Sequence, residues 1–262
     1  IIKSVKPYHD NKSKIFIISD EIRSDHPEFK KQKWICDILK QEFTEKFPEQ
    51  TTQDPREADI IWYLANWNTR FIPRGFTVQG WYNLLLEKRV VFTQHHIDRS
   101  KLQTGEYDKN FQFMKKYGNT YHSICRLTAL EMINHFESSK IYIEHLWIND
   151  KIFYAMNKSK RNKTREKYGF LDNKFLIGSF QKDTEGNSIE NPKPKLSKGP
   201  DVFVKIVADM QKMYKLANNG KTIEVVLTGL RREYLINELE KIGVKYHYYN
   251  MISLQEINEL YN

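Results

Sequence analysis

The residues best suited to chemistry in this chain lie where runs of β-branched and aromatic residues stop and polar residues begin. Phe175-Leu176-Ile177-Gly178 reads as a buried strand that breaks into Ser179-Phe180-Gln181-Lys182, and Lys198-Gly199-Pro200-Asp201 opens a helix soon afterwards. A helix start behind a glycine presents unpaired N–H groups and the positive end of its dipole. A lysine on each side adds charge, and the combination suits a diphosphate. Lys182 and Lys198, with Gly178 and Gly199 shaping the backbone, are therefore candidate diphosphate-binding residues, although either lysine alone also reads as a solvated surface residue.

A second strand end, Val225-Val226-Leu227-Thr228-Gly229, is followed by Arg231-Arg232. Gly229 and Arg231 are candidates for the same ligand, since an arginine there could approach a phosphate or a base; the bland alternative is a solvated helix start. The third place is Val90-Val91-Phe92-Thr93-Gln94-His95-His96. A histidine past a strand end could accept a proton or bond an acceptor hydroxyl, because its unperturbed pKa lies near neutrality. His95 and His96 are thus the candidate catalytic residues, and a loop or core hydrogen-bonding role is the competing reading. Adjacent histidines in extended chain point opposite ways, no third ligand has metal spacing, and no metal site is expected.

Several classes are excluded. Cys36 and Cys125 are far apart and form neither a disulfide framework nor a zinc motif. No nucleophile elbow, Walker loop or Gly-x-Gly-x-x-Gly fingerprint occurs, so hydrolase, P-loop ATPase and ordinary dehydrogenase readings lack their local chemistry. The net charge of +9 points to anionic company. The basic residues are spread along the chain without a nucleic-acid motif, so no specific nucleic acid is expected. No apolar run approaches the length of a membrane span. A cytoplasmic protein is expected, alternatively one peripheral to an anionic membrane.

These residues need a scaffold of strands and helices in alternation. Strands are predicted at 14–20, 58–64, 89–93, 120–124 and 140–143, with helices at 29–47, 79–87 and 128–136, and Pro48 stopping the first. This pattern is a doubly wound α/β half. A basic stretch at 158–167 follows, and a second series begins: strand 174–178, helix from Val202, strand 222–227, helix 233–242 and strand 245–249. Ser253-Leu254-Gln255-Glu256 is a capping-box signature. The expected architecture is α/β with two Rossmann-like domains, 1–157 on the acceptor side and 158–262 on the donor side, the second incomplete. A three-stranded open sheet leaves an edge uncovered, and further sequence beyond Asn262 is expected; Ile1-Ile2-Lys3-Ser4 reads as a trimmed start. The aromatic group Trp62, Tyr63, Trp67, Phe71, Phe76, Trp81 and Tyr82 fits core packing or a sugar-stacking rim.

The segment around Gly178, Phe180, Lys182, Lys198 and Gly199 resembles the donor-domain entrance of glycosyltransferase family 4, a group of GT-B glycosyltransferases. The resemblance extends through 225–229 and 252–257, and the His95-His96 strand end resembles the family's strand–histidine motif. It departs from the family pattern in two ways: Lys182 stands where the family has arginine, and 183–197 is an insertion. The resemblance implies transfer of a sugar from a nucleotide-diphosphate sugar to a glycan, lipid or small-molecule hydroxyl, with retention and without a required metal or cofactor. Lys182 and Lys198 would hold the leaving diphosphate, His95 or His96 would serve the acceptor, and a cleft between the domains would hold both substrates. The family's paired glutamates would fall beyond Asn262. Two alternatives stay open: a catalytically silent nucleotide- or sugar-binding protein of the same fold, and a basic module for nucleic acid or membrane surfaces.

Overall fold

The computed structural model describes residues 13–19, 35–170, 173–186, 189–217, 220 and 222–262. Asp20, His26 and the predicted helix start 29–34 lie outside the described residues. The chain divides into two compact units, the first running to Trp147 and the second starting at Ile148.

In the first unit the elements are β1 (Ile15–Ile18), α1 (Ile35–Lys46), β2 (Ile60–Tyr63), α2 (Val78–Glu87), β3 (Arg89–Gln94), α3 (Arg99–Gln103), α4 (Asp108–Tyr117), β4 (Thr120–Ser123), α5 (Arg126–Met132) and β5 (Ile141–Ile143). The strands form one five-stranded sheet in the order β1-β2-β3-β4-β5, and every pair is parallel. Side-chain alternation along each strand sorts the residues to two faces. Phe16, Ile18, Ile61, Tyr63, Val90 and Phe92 pack with Trp81 and Leu85 of α2, Phe111 and Met114 of α4 and Met132 of α5. Ile17 goes the other way, against Cys36 and Leu39 of α1.

Helices therefore cover both faces, but the described strands run in sequential order without the reversal that a doubly wound sheet carries. Helix α4 was not expected from the sequence, although its buried Phe111, Met114 and Tyr117 recur at a spacing compatible with one helical face.

In the second unit the elements are α6 (Lys158–Lys167), β6 (Lys174–Ser179), β7 (Thr184–Glu185), β8 (Lys193–Pro194), α7 (Pro200–Ala217), β9 (Thr222–Thr228), α8 (Glu233–Lys241), β10 (Lys245–Tyr249) and α9 (Leu254–Tyr261). Strands β10, β9 and β6 make a parallel three-stranded sheet in that order, and β7 and β8 pair as a small antiparallel hairpin. Ile223, Val225 and Leu227 of β9 pack with Val207 of α7 and Leu235 and Leu239 of α8. On the opposite face of β9, buried Glu224 meets His247 at 2.6 Å, Lys174 at 3.3 Å and Lys245 at 3.4 Å, a lysine from each neighbouring strand and an imidazole from β10. The capping box at Ser253 and Glu256 is formed as predicted.

The segment 148–157 belongs to the second unit, which moves the junction earlier than the expected 157/158 boundary. Side chains of α9 hold it there: Tyr154 N–H donates to Asn258 Oδ1 at 3.2 Å, and Met156 N–H to Asn262 Oδ1 at 2.7 Å. Among the described residues no helix is long and apolar enough to cross a membrane.

The carboxyl-terminal parts of β2, β3 and β4 and the chain after β5 are joined through His122. Its Nε2 lies 2.8 Å from the Glu144 carbonyl, which can only accept, so Nδ1 accepts from Thr93 Oγ1 at 2.9 Å, and Thr93 in turn accepts from Trp62 Nε1 at 2.9 Å. Burial pulls His122 below the ordinary value of 6.5, and burial with Lys115 pulls His135 down likewise. A depressed folded pKa means the unfolded chain takes up the proton first. The stability from neutral His122 and His135 is thus fully present above about pH 6.5 and is lost as pH falls towards their folded values. Urea midpoints should fall between about pH 7.5 and about pH 5.5, and His122→Asn should flatten that fall; an unaltered slope would assign the acid sensitivity elsewhere.

Candidate functional site

Strand β6 ends in Gly178 and Ser179, and the chain then doubles back so that Phe180 lies over Gly178. A Cβ on Gly178 would stand 2.6 Å from the Phe180 ring. The chain continues through Gln181 and Lys182 to Asp183. The adjacent strand β9 ends at Thr228 and turns through Gly229, at φ +83°, into Leu230, Arg231 and Arg232. Because Ser179 is in register with Leu227, both loops leave the sheet at the same end.

The two loops are joined by backbone and by charge. The Arg231 carbonyl accepts N–H bonds from Asp183 at 3.3 Å and Thr184 at 3.2 Å. Arg232 Nε lies 3.0 Å from Asp183 Oδ2, with side-chain exposures of 0% and 1%. Its Nη2 donates to the Ser179 carbonyl and hydroxyl, both at 2.8 Å. Thr184 Oγ1 donates to Asp183 Oδ1 at 2.8 Å and accepts the Tyr234 N–H at the start of α8.

Beside this buried pair, cations collect. Burial lowers the pKa of Lys182, and repulsion from Arg231 and Lys195 lowers it further, against an opposing pull from Glu185. Lys195 arrives by way of the β7–β8 hairpin: its N–H donates to the Asp183 carbonyl at 2.7 Å, and its Nζ pairs with Glu185 at 3.0 Å. Arg231 and Lys195 thus both repel Lys182, and a bound dianion would relieve that repulsion.

Of the sequence-predicted residues, the structure brings Lys182 to Arg231 at the ends of β6 and β9; Gly229 makes the turn after β9, whereas Gly178 lies within strand β6 and makes room for the Phe180 ring. Lys198 is exposed at the end of the single 3-10 turn Leu196–Lys198, and Gly199, at φ +63°, bends the chain into α7. Lys198 joins the β6 loop through its carbonyl, which accepts from Gln181 Nε2 at 2.8 Å. The charges acting most strongly on Lys182 are Arg231 and Lys195, and sequence reasoning missed Lys195. Its signal was the insertion itself, whose ends must return to the same strand end if it folds as a hairpin.

In the first unit His95 and His96 follow β3. His95 Nε2 lies 2.7 Å from the Leu64 carbonyl, so this nitrogen carries the proton, and it is 3.8 Å from Cys36 Sγ. Proton acceptance at Nε2 would cost that tether. His96 is exposed, and its carbonyl accepts from Gln94 Nε2 at 2.6 Å. The aromatic group is core: Tyr63 and Trp81 are buried, Phe71, Phe76 and Tyr82 pack on the main cluster, and Trp62 and Trp67 on the second. Among the described residues no three His, Cys, Asp or Glu side chains gather as a metal site.

No protein-family model and no curated protein matches the sequence. Solved structures do match in shape. Anabaena HepE in complex with UDP and glucose superposes with a TM-score of 0.62 at 11% identity, over 95% of this chain and 71% of that one. HepE in complex with UDP-glucose gives 0.61 at 10% identity, over 94% and 70%. A UDP-forming trehalose-phosphate synthase from Burkholderia xenovorans gives 0.53 at 12% identity, over 87% of this chain and 56% of that chain. The fold is GT-B. This is the fold class that the sequence led one to expect, and at these identities the likeness establishes architecture alone.

Arg231 has φ +61°, the only non-glycine residue at positive φ among those described. For a residue with a Cβ this conformation costs roughly 1–2 kcal/mol. Arg231→Gly should remove that strain at the expense of greater unfolded-chain entropy, leaving urea stability unchanged or up to about 1 kcal/mol higher. A clear loss of stability would show that the side chain supports the fold.

Proposed function

We propose that this chain carries the donor side of a glycosyltransferase that moves a sugar from a nucleotide-diphosphate sugar to an acceptor hydroxyl. The observation that carries the reading is the cluster Lys182, Lys195 and Arg231 at the carboxyl ends of β6 and β9. It stands in a fold shared with a protein solved with UDP and UDP-glucose.

In sugar transfer the bond from the anomeric carbon to the diphosphate oxygen lengthens, and negative charge grows on the leaving diphosphate. Cations already fixed at that position stabilise the developing charge without reorganising. Lys182 and Lys195 supply point charges, and Arg231 can offer a planar fork to two phosphate oxygens. Gly178, Gly199 and Gly229 shape the backbone around them, and Lys198 flanks the site. In this reading the side chains neutralise the diphosphate without a required metal, and the sugar is transferred with retention, as the family resemblance implies. On the acceptor side His96 is the more available histidine, while His95 keeps the loops after β2 and β3 together.

Thermal shift with UDP-, GDP-, ADP- and CMP-sugars should single out one nucleotide. Calorimetry with that nucleotide should show Lys182→Ala and Arg231→Ala each weakening binding by about tenfold or more, at roughly 1.5–3 kcal/mol per charge-assisted contact. Lys198→Ala should cost less. No response to any of the four, or wild-type affinity in both variants, would remove the donor-site reading. Nucleotide binding without sugar transfer or hydrolysis would favour the catalytically silent alternative.

A further inference from the structure

The loops that carry the cluster share one local pattern. Lys182 is followed by Asp183 and Arg231 by Arg232, and in each pair the first residue is only partly buried whereas the second is fully buried. The two buried residues meet: Arg232 Nε is 3.0 Å from Asp183 Oδ2. Each partly buried cation is therefore one residue away from a charge locked inside the protein.

The pair is poorly arranged for stability alone. Arg232 Nη1 has no hydrogen-bond partner among the described residues, and Nε and Oδ2, though close, do not form a well-directed hydrogen bond. Taking two charges out of water is costly, and an incompletely bonded buried pair is often matched in stability by uncharged side chains. What this pair does supply is position. Arg232 reaches Ser179 on the last turn of β6 through two bonds, Asp183 Oδ1 accepts from Thr184 Oγ1 and, at 3.4 Å, from the Leu235 N–H of α8, and the Arg231 carbonyl is held by the Asp183 and Thr184 N–H groups. These contacts fix Arg231 in its left-handed conformation and fix the direction in which Lys182 leaves the strand.

We infer that Asp183 and Arg232 are positioning residues: their buried ion pair sets the spacing of Lys182 and Arg231 so that both reach one diphosphate. The inference rests on the proposed reading of that cluster as a diphosphate site. It makes the anion affinity depend on two side chains that the anion does not touch.

The test is calorimetric titration of the full chain with inorganic pyrophosphate, comparing wild type with the double variant Asp183→Asn, Arg232→Met. The asparagine keeps an oxygen for Thr184 and Leu235 while both charges are removed. The expected result is a melting temperature within roughly 5 °C of wild type and a pyrophosphate Kd raised about tenfold or more. Unchanged affinity in the folded double variant overturns the inference and leaves the diphosphate reading standing. Wild-type protein that does not bind pyrophosphate overturns the diphosphate reading itself, and the inference with it. If the double variant does not fold, Arg232→Lys keeps the charge but loses the paired bonds to Ser179; a raised Kd supports positioning and an unchanged Kd overturns it.

Discussion

The contact on which the candidate site depends is the buried ion pair between Asp183 and Arg232. Strands β6 and β9 are held in register by their ladder, but a ladder fixes nothing beyond its last residue. The pair continues the registration into the loops, where backbone pairing has stopped. It does so by placing charge where water is absent, and the two bonds from Arg232 Nη2 to Ser179 give the contact its direction. The strained Arg231 backbone follows from it, since a residue stays in a sparsely populated conformation only when its surroundings over-determine it.

The two units solve the same problem with different chemistry. In the first, the carboxyl ends of the strands are joined by imidazole hydrogen bonds: His95 Nε2 to the Leu64 carbonyl, and His122 between Thr93 and Glu144. In the second, the corresponding loops are joined by opposite charges, and unbalanced cations gather beside them. A parallel sheet brings the ends of all its strands to one side, so a single ligand can meet several loops at once. The charge placed there then decides what class of ligand fits, and in the second unit that charge favours an anion.

Neutral and charged joints also respond differently to solvent. The His122 links require an uncharged ring, so acid opposes them. The exposed parts of Lys182, Lys195 and Arg231 lie where salt can screen them, whereas Asp183 and Arg232 are shielded by burial. The second unit therefore combines a screened, exchangeable outer charge with an inner charge that salt reaches poorly.

The sequence by itself determined the alternation of strands and helices, the capping box at Ser253, and the glycine turns at 199 and 229, because these depend on propensity, periodicity and local backbone freedom. It also marked Lys182 and Arg231, since each follows a strand end. Helix α4 is not among the elements expected from the sequence, although its apolar spacing is present, and the hold of Asn258 and Asn262 on Tyr154 and Met156 joins residues too distant in sequence for local patterning to show. Only the tertiary structure decided which member of Lys182-Asp183 and of Arg231-Arg232 turns inward, that Lys195 joins Arg231 beside Lys182, and that His95 is tied to Leu64. Those outcomes depend on side chains far apart in sequence competing for the same buried space, and residue order alone carries no record of which one wins.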